Sequence, residues 1–211
     1  MLSYRKHIRI FVASPGDVLR ERDRLSSVVQ ELSTTIAPYK GFSLELVRWE
    51  THCMPALGRP QGVINAQIGL YDIFVGIMWK RFGSPTGLTE SGTEEKFRVA
   101  YDTWRRNQSP SILFYFCQHP FMPRNIEELE QCKRVLAFRQ ELEQKGLIWE
   151  YPEHDTFADI IRPHLVRLLL DTTYAQASLR DFQFYQSRAA PDEADAQGLI
   201  DEIAQALGPG A

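Results

Sequence analysis

The sequence predicts a doubly wound α/β domain built on a five-stranded parallel sheet, and three observations lead there. Short apolar runs alternate strictly with longer amphipathic ones, the pattern of βαβ units joined by right-handed crossovers. One short run, DIFVGIMW (72–79), is apolar throughout, which marks a central strand covered on both faces. The chain has 211 residues, 44% of them hydrophobic, enough for one substantial core. The strand order expected for such a sheet is 2-1-3-4-5.

The first strand is HIRIFVAS (7–14), rich in β-branched and aromatic residues. Its helix lies in PGDVLRERDRLSSVVQEL (15–32), where Val18, Leu19, Arg22, Leu25, Val28, Val29 and Leu32 recur at helical spacing. FSLELVRWE (42–50) alternates as a strand after Lys40 and Gly41, and PQGVINAQIGLY (60–71) is a short helix with Val63, Ile64 and Ile68 on its apolar side. Strand three (72–79) leads to a helix in SGTEEKFRVAYDTW (91–104). SILFYFC (111–117), a long helix over 126–143, LIWEY (147–151) and a helix over 156–174 complete the alternation. Beyond residue 175 the pattern loosens. The α/β domain is therefore expected over 1–175, with a connector and an acidic amphipathic helix over 176–211 as a C-terminal helical extension.

A net charge of −3 gives no electrostatic footprint for nucleic acid or an anionic membrane. No apolar run approaches the ~20 residues that span a bilayer. The N-terminus is basic and then apolar, but the apolar part runs into Pro15-Gly16-Asp17 without a small-residue cleavage site, so no secretory leader is expected. Three unpatterned cysteines, Cys53, Cys117 and Cys132, fit reduced thiols in a cytoplasmic protein. Cys117 with His119, and His52 with Cys53, approach metal spacing, but neither has a second half, so no metal site is expected.

In an open parallel sheet, ligands bind outside the carboxyl ends of the strands where the order reverses, here between strands one and three. The loops arriving there are SPGD after strand one, WKRFGSPTGLTESGTEE after strand three and WETHCMPALGRPQ after strand two. Such long irregular loops in a compact domain are usually functional or disordered. Ser14, Gly16 and Asp17 stand where backbone N–H groups at a helix N-terminus receive a phosphate, or where Asp17 simply caps the helix. Arg81, with Lys80, offers a clamp for a phosphate or carboxylate, or reads as a solvated basic pair. Trp49 and Trp79 end two strands on one rim, placed to stack on a base or to pack in the core.

Ser91, Gly92, Thr93 and Glu94 fit a capping box, with Ser91 as N-cap and Glu94 as its third residue. On a helical wheel, Phe97, Ala100, Tyr101 and Trp104 form the buried stripe. Glu94 and Lys96 flank it at the cleft mouth, and Glu95 falls on the outer side.

The spans IRIFVASPGDVLRERDRL, LELVRWE, PQGVINAQI, DIFVGIMWKRFGSPTG and SGTEEKFRVAYD, in that order, resemble a bacterial domain family long described as of unknown function. Its members often stand at the N-terminus of NACHT-type ATPases and other defence or signalling proteins. That family is similar in turn to TIR and nucleoside deoxyribosyltransferase domains. The resemblance implies a flavodoxin-like, TIR-like fold, a nucleotide ligand such as NAD, and cleavage of an N-glycosidic bond. NAD enters as a substrate, and no cofactor is expected. A protein partner or homo-oligomer is implied as well. The family uses a glutamate in Ser-Gly-Thr-x-x-Glu-Phe, and the matching position in this sequence is Lys96. Glu94 is then the candidate catalytic carboxylate and Glu95 a poorer one. Ser14, Gly16, Asp17, Trp49, Arg81, Thr93 and Lys96 would line the nucleotide site. The alternatives are a catalytically inactive assembly module and, behind it, a nucleoside deoxyribosyltransferase.

Overall fold

The computed structural model describes residues 6–171, apart from 55, 56, 58, 59, 88 and 147. The connector and helix expected over 176–211 lie outside the described residues. Strands β1 (Lys6–Ala13), β2 (Phe42–Val47), β3 (Ile73–Met78), β4 (Ser111–Cys117) and β5 (Trp149–Tyr151) form one sheet in the order β2-β1-β3-β4-β5. Every pairing is parallel, with Ile10 opposite Ile73 and Val75 opposite Leu113 at the centre. The predicted fold class and strand order are both present.

Strand parity sorts the core onto two faces. Phe11 and Ala13 of β1, Phe74 and Met78 of β3, and Phe114 and Phe116 of β4 point one way. There they meet Phe97 and Ala100 of α5 (Gly92–Asn107) and Val135, Phe138 and Leu142 of α6 (Ile126–Lys145). Their neighbours Ile10, Val12, Ile73, Val75, Ile77 and Tyr115 are equally buried on the opposite face. That face carries α1 (Leu19–Thr35), whose Glu21 reaches the Tyr151 hydroxyl, and the start of α7 (Phe157–Leu170), whose Phe157 ring meets Tyr115 at 5.5 Å. Gly76 is fixed by packing, because a Cβ there would stand 2.3 Å from the Phe114 ring.

Shorter helices fill the connections: α2 (Ala37–Lys40), α3 (Trp49–His52), α4 (Pro60–Ile68) and a 3-10 turn (His154–Thr156). The second strand, expected over 42–50, stops at Val47. β2 has a single neighbour among the described residues, so its chain is free to curl into α3, where the N–H groups of Thr51 and His52 return to the Arg48 carbonyl. The chain divides into two compact units, residues 1–162 and 163–211, and the sheet belongs to the first.

Candidate functional site

β1 leads into α1 on one face and β3 into α5 on the other, so the two connecting loops part at the carboxyl end of the sheet. Asp17 holds them together. Its Oδ2 accepts the backbone N–H of Lys80 at 3.2 Å and of Arg81 at 3.0 Å. This corrects the capping expectation, since α1 starts after Val18 and no side chain caps it. Burial pushes the Asp17 carboxyl pKa up, against the Arg81 and Lys80 backbone donors that pull it down. Asp17 Oδ1 and Ser14 Oγ are buried without a hydrogen-bond partner among the described residues. Buried polar atoms without a partner are costly, and a water, an ion or a ligand group can satisfy them. Gly16 is exposed and faces open space, so packing does not require a glycine there.

The loop after β3 is pinned to α6, where Gln131 Oε1 accepts the N–H of Phe82 at 2.8 Å and of Gly83 at 3.1 Å. Gly83 takes φ 111°, and a Cβ there would press on Ser91 Oγ at 3.0 Å. Ser91 is the N-cap of α5, as expected: its hydroxyl accepts the Thr93 N–H at 3.1 Å and donates to the Phe82 carbonyl. Glu94 does not close the box on Ser91. Its Oε2 accepts the Glu90 N–H at 3.2 Å, while Oε1 takes Arg98 Nε at 2.8 Å and Nη2 at 2.6 Å. Arg98 continues to Glu141 of α6. The carboxylate of Glu94 is thus drawn toward α6.

Glu95, placed on the outer side by the wheel, is only 5% exposed. The loop over 82–91 folds across the first turn, and Thr86 Oγ1 donates to Glu95 Oε2 at 2.5 Å. A wheel locates the stripe that faces the sheet and is blind to a covering loop. Lys96 is 7% exposed, with its Nζ 5.7 Å from the Phe11 ring centroid. Burial lowers its pKa to about 8, with Glu50 and then Cys53 opposing the shift and Arg22 adding to it. Glu50 is itself paired with the buried Arg22. Among the described residues, no carboxylate comes within ion-pair distance of the Lys96 ammonium.

Of the remaining predicted residues, Thr93 is buried, Trp49 is 41% exposed on α3 and the Arg81 side chain is exposed. Trp79 is occupied by packing: Nε1 donates to the His119 carbonyl at 2.9 Å, and its ring stands edge-on to His154 at 4.6 Å. The sequence reading missed Arg22 and Glu50. Arg22 carried a signal, a charge at an otherwise apolar stripe position. A separate apolar cavity of about 190 Å³, lined by Phe97, Tyr101, Trp104, Ile112 and Phe114 among others, lies toward the amino end of β4, away from these polar groups.

A family model described as "Domain of unknown function (DUF4062)" matches residues 9–166. The chain belongs to the DUF4062 family. The match runs from β1 into α7, so every candidate site residue of this DUF4062 domain from Ser14 to Lys96 falls inside it. No curated protein matches the sequence significantly. No helix among the described residues is long and apolar enough to cross a membrane.

The DUF4062 domain therefore presents two polar groups at the carboxyl end of its sheet. Ser14, Asp17 and the Arg81 backbone form one. Glu95 and Lys96, with Arg22, Glu50 and Cys53 nearby, form the other. The second supplies an acid and an amine whose charge an anionic ligand would reinforce. The metal-spaced pair Cys117 and His119 does not converge as a ligand pair. Cys117 Sγ instead lies 3.8 Å from His154 Nδ1, in a group with Glu21.

Proposed function

We propose that this DUF4062 domain binds a nucleotide such as NAD in the crevice at the carboxyl ends of β1 and β3. It acts in the cytoplasm as the effector or signalling domain of a bacterial defence system, with NAD glycohydrolase-type cleavage as its chemistry and a protein partner or a second copy as its trigger. The observation that carries this reading is the adjacent pair Glu95 and Lys96, both more than nine-tenths buried at the start of α5. Burying an acid and an amine side by side is expensive in a merely structural helix turn, and such groups gather where a ligand is bound.

In this reading the N-glycosidic bond breaks with its electron pair leaving on the base, positive charge develops on the ribose, and water adds to the anomeric carbon as its proton departs. A carboxylate beside that carbon stabilises the charge. Glu95 is the candidate here, because it is buried beside Lys96, whereas the Glu94 carboxylate is turned to Arg98 and the Glu90 N–H. The TIR-like resemblance of the loop and helix motifs supports the same chemistry. The phosphates would lie toward Ser14, Asp17 and Arg81, with Lys96 as a further cationic contact.

Lys96 also favours a second reading. An ammonium about 5 Å from a developing cation costs about 3 kcal/mol at an effective dielectric of 20, roughly a hundredfold in rate. The domain would then bind without turnover, as an assembly module using the same crevice. Titration of NAD into the purified protein, followed by chemical shifts and by nicotinamide release, tests both. Shifts at crevice residues with slow release support cleavage, and shifts without release support the assembly module. No binding in any assembly state removes the nucleotide reading.

A further inference from the structure

We propose that Glu21, Cys117 and His154 form a binding site for a soft divalent transition-metal ion, Zn²⁺ foremost. The three come from separate elements: the first turn of α1, the last residue of β4 and the 3-10 turn after β5. Their ligand atoms all lie within 4.8 Å of one another. His154 Nδ1 is 3.8 Å from Cys117 Sγ and 2.5 Å from Glu21 Oε1.

Both neighbours approach the same ring nitrogen. A thiol–imidazole–carboxylate relay needs them on opposite nitrogens, so this is not a nucleophile with its orienting acid. A shared centre is what a central ion requires. Around tetrahedral zinc, with bonds of about 2.0–2.3 Å, ligand atoms stand about 3.3–3.6 Å apart. The sulfur–nitrogen distance of 3.8 Å is within a few tenths of an ångström of that range, and the carboxylate has to withdraw by under about 1 Å, a small rotation of Glu21.

Glu21 supplies an independent indication. It is 0% exposed, and while its Oε1 accepts from Tyr151 and His154, its Oε2 is buried with no hydrogen-bond partner among the described residues. A buried carboxylate oxygen without a donor is costly, and a cation satisfies it. The donor set fixes the class of ion, because thiolate and imidazole suit zinc or cobalt and not magnesium or calcium. On binding, the Cys117 thiol releases its proton to solvent, and His154 coordinates through Nδ1 as the neutral imidazole with its proton on Nε2. Thiolate and carboxylate together then neutralise the divalent charge in place. Three protein ligands leave a fourth position for water. The ion would lock α1, β4 and the turn after β5 together, and with α1 the loop that carries Ser14 and Asp17. The proposal is independent of what the crevice binds.

The test is titration of chelator-treated, full-length protein with Co²⁺. One equivalent should bind and give a sulfur-to-cobalt charge-transfer band with intense tetrahedral d–d bands, and Zn²⁺ should displace it and raise the melting temperature. Cys117→Ser should lose the charge-transfer band while far-ultraviolet circular dichroism holds, and Glu21→Gln should weaken Co²⁺ binding about tenfold or more. Should Cys117→Ser fail to fold, the Cys53→Ser/Cys132→Ser double variant decides, since Cys117 is then the only thiol left. The same band in that variant confirms the site. Its loss there, or no charge-transfer band in the wild type, overturns the proposal.

Discussion

The backbone N–H of Arg81 donates to Asp17 Oδ2 at 3.0 Å, and with the Lys80 N–H beside it this bond clasps the two loops that part at the switch point of the sheet. Removing the carboxylate strands both donors. Asp17→Ala should lower stability by about 1–3 kcal/mol in chemical denaturation. Asp17→Asn keeps an accepting oxygen and should lose much less. Equal losses in the two variants would show that the clasp is not what Asp17 contributes.

Lys96 titrates at about 8 in the folded protein against 10.5 for an unperturbed lysine. Below about pH 8 the buried ammonium is charged in both states and weakens the fold. Between about 8 and 10.5 the unfolded chain holds the extra proton, so stability should rise with pH across that window. Lys96→Met should flatten the rise and stabilise the protein at neutral pH by at most roughly 3 kcal/mol. Urea midpoints from neutral to alkaline pH provide the measurement, and identical profiles for the two proteins would refute the assignment.

Arg81 lends its backbone to the clasp, while its exposed side chain is left for a ligand. Arg81→Ala should therefore weaken NAD binding by about 1.5–3 kcal/mol while leaving the melting temperature in place. Calorimetric titration of both proteins reads the difference. An unchanged affinity would take Arg81 out of the nucleotide site.

The two glutamates of the first turn separate cleanly by substitution with glutamine. Glu94→Gln loosens the bridge through Arg98 to Glu141, a half-exposed network worth about 1 kcal/mol or less, and should leave turnover unaltered. Glu95→Gln can still accept from Thr86 and should abolish nicotinamide release without unfolding the domain. The reverse pattern would return the catalytic role to Glu94.

Lys96→Glu places a carboxylate where the Ser-Gly-Thr-x-x-Glu-Phe resemblance expects one. Nicotinamide release should rise about tenfold or more if catalysis was lost at a retained site. Glu95 and Glu50 lie nearby, so the new acid should also make the fold less stable at neutral pH than at mildly acidic pH. No gain in release, with NAD still bound, would assign the crevice to binding alone.

The sheet was legible because its signal is periodic: β3 is apolar on both faces and each helix carries its own stripe. Ser91 was legible because a cap is a local device. The site was less so, because its decisive contacts are tertiary. Glu95 is buried by a loop with no periodicity, and Asp17 finds its donors in a loop 63 and 64 residues away. Arg22 meets Glu50 of α3, an element that the alternation of FSLELVRWE hid inside a strand. Cys117 finds His154 37 residues on, at no ligand spacing that a sequence advertises.

β5 is only three residues long and closes one side of the sheet among the described residues. So short an edge is a poor template for strand addition, the usual route by which exposed sheets extend from one chain into the next. Copies of this chain have little means of joining through that margin into a continuous β-ribbon, and an extended peptide would find few main-chain hydrogen bonds there. Recognition between molecules on that side has to be written in side chains.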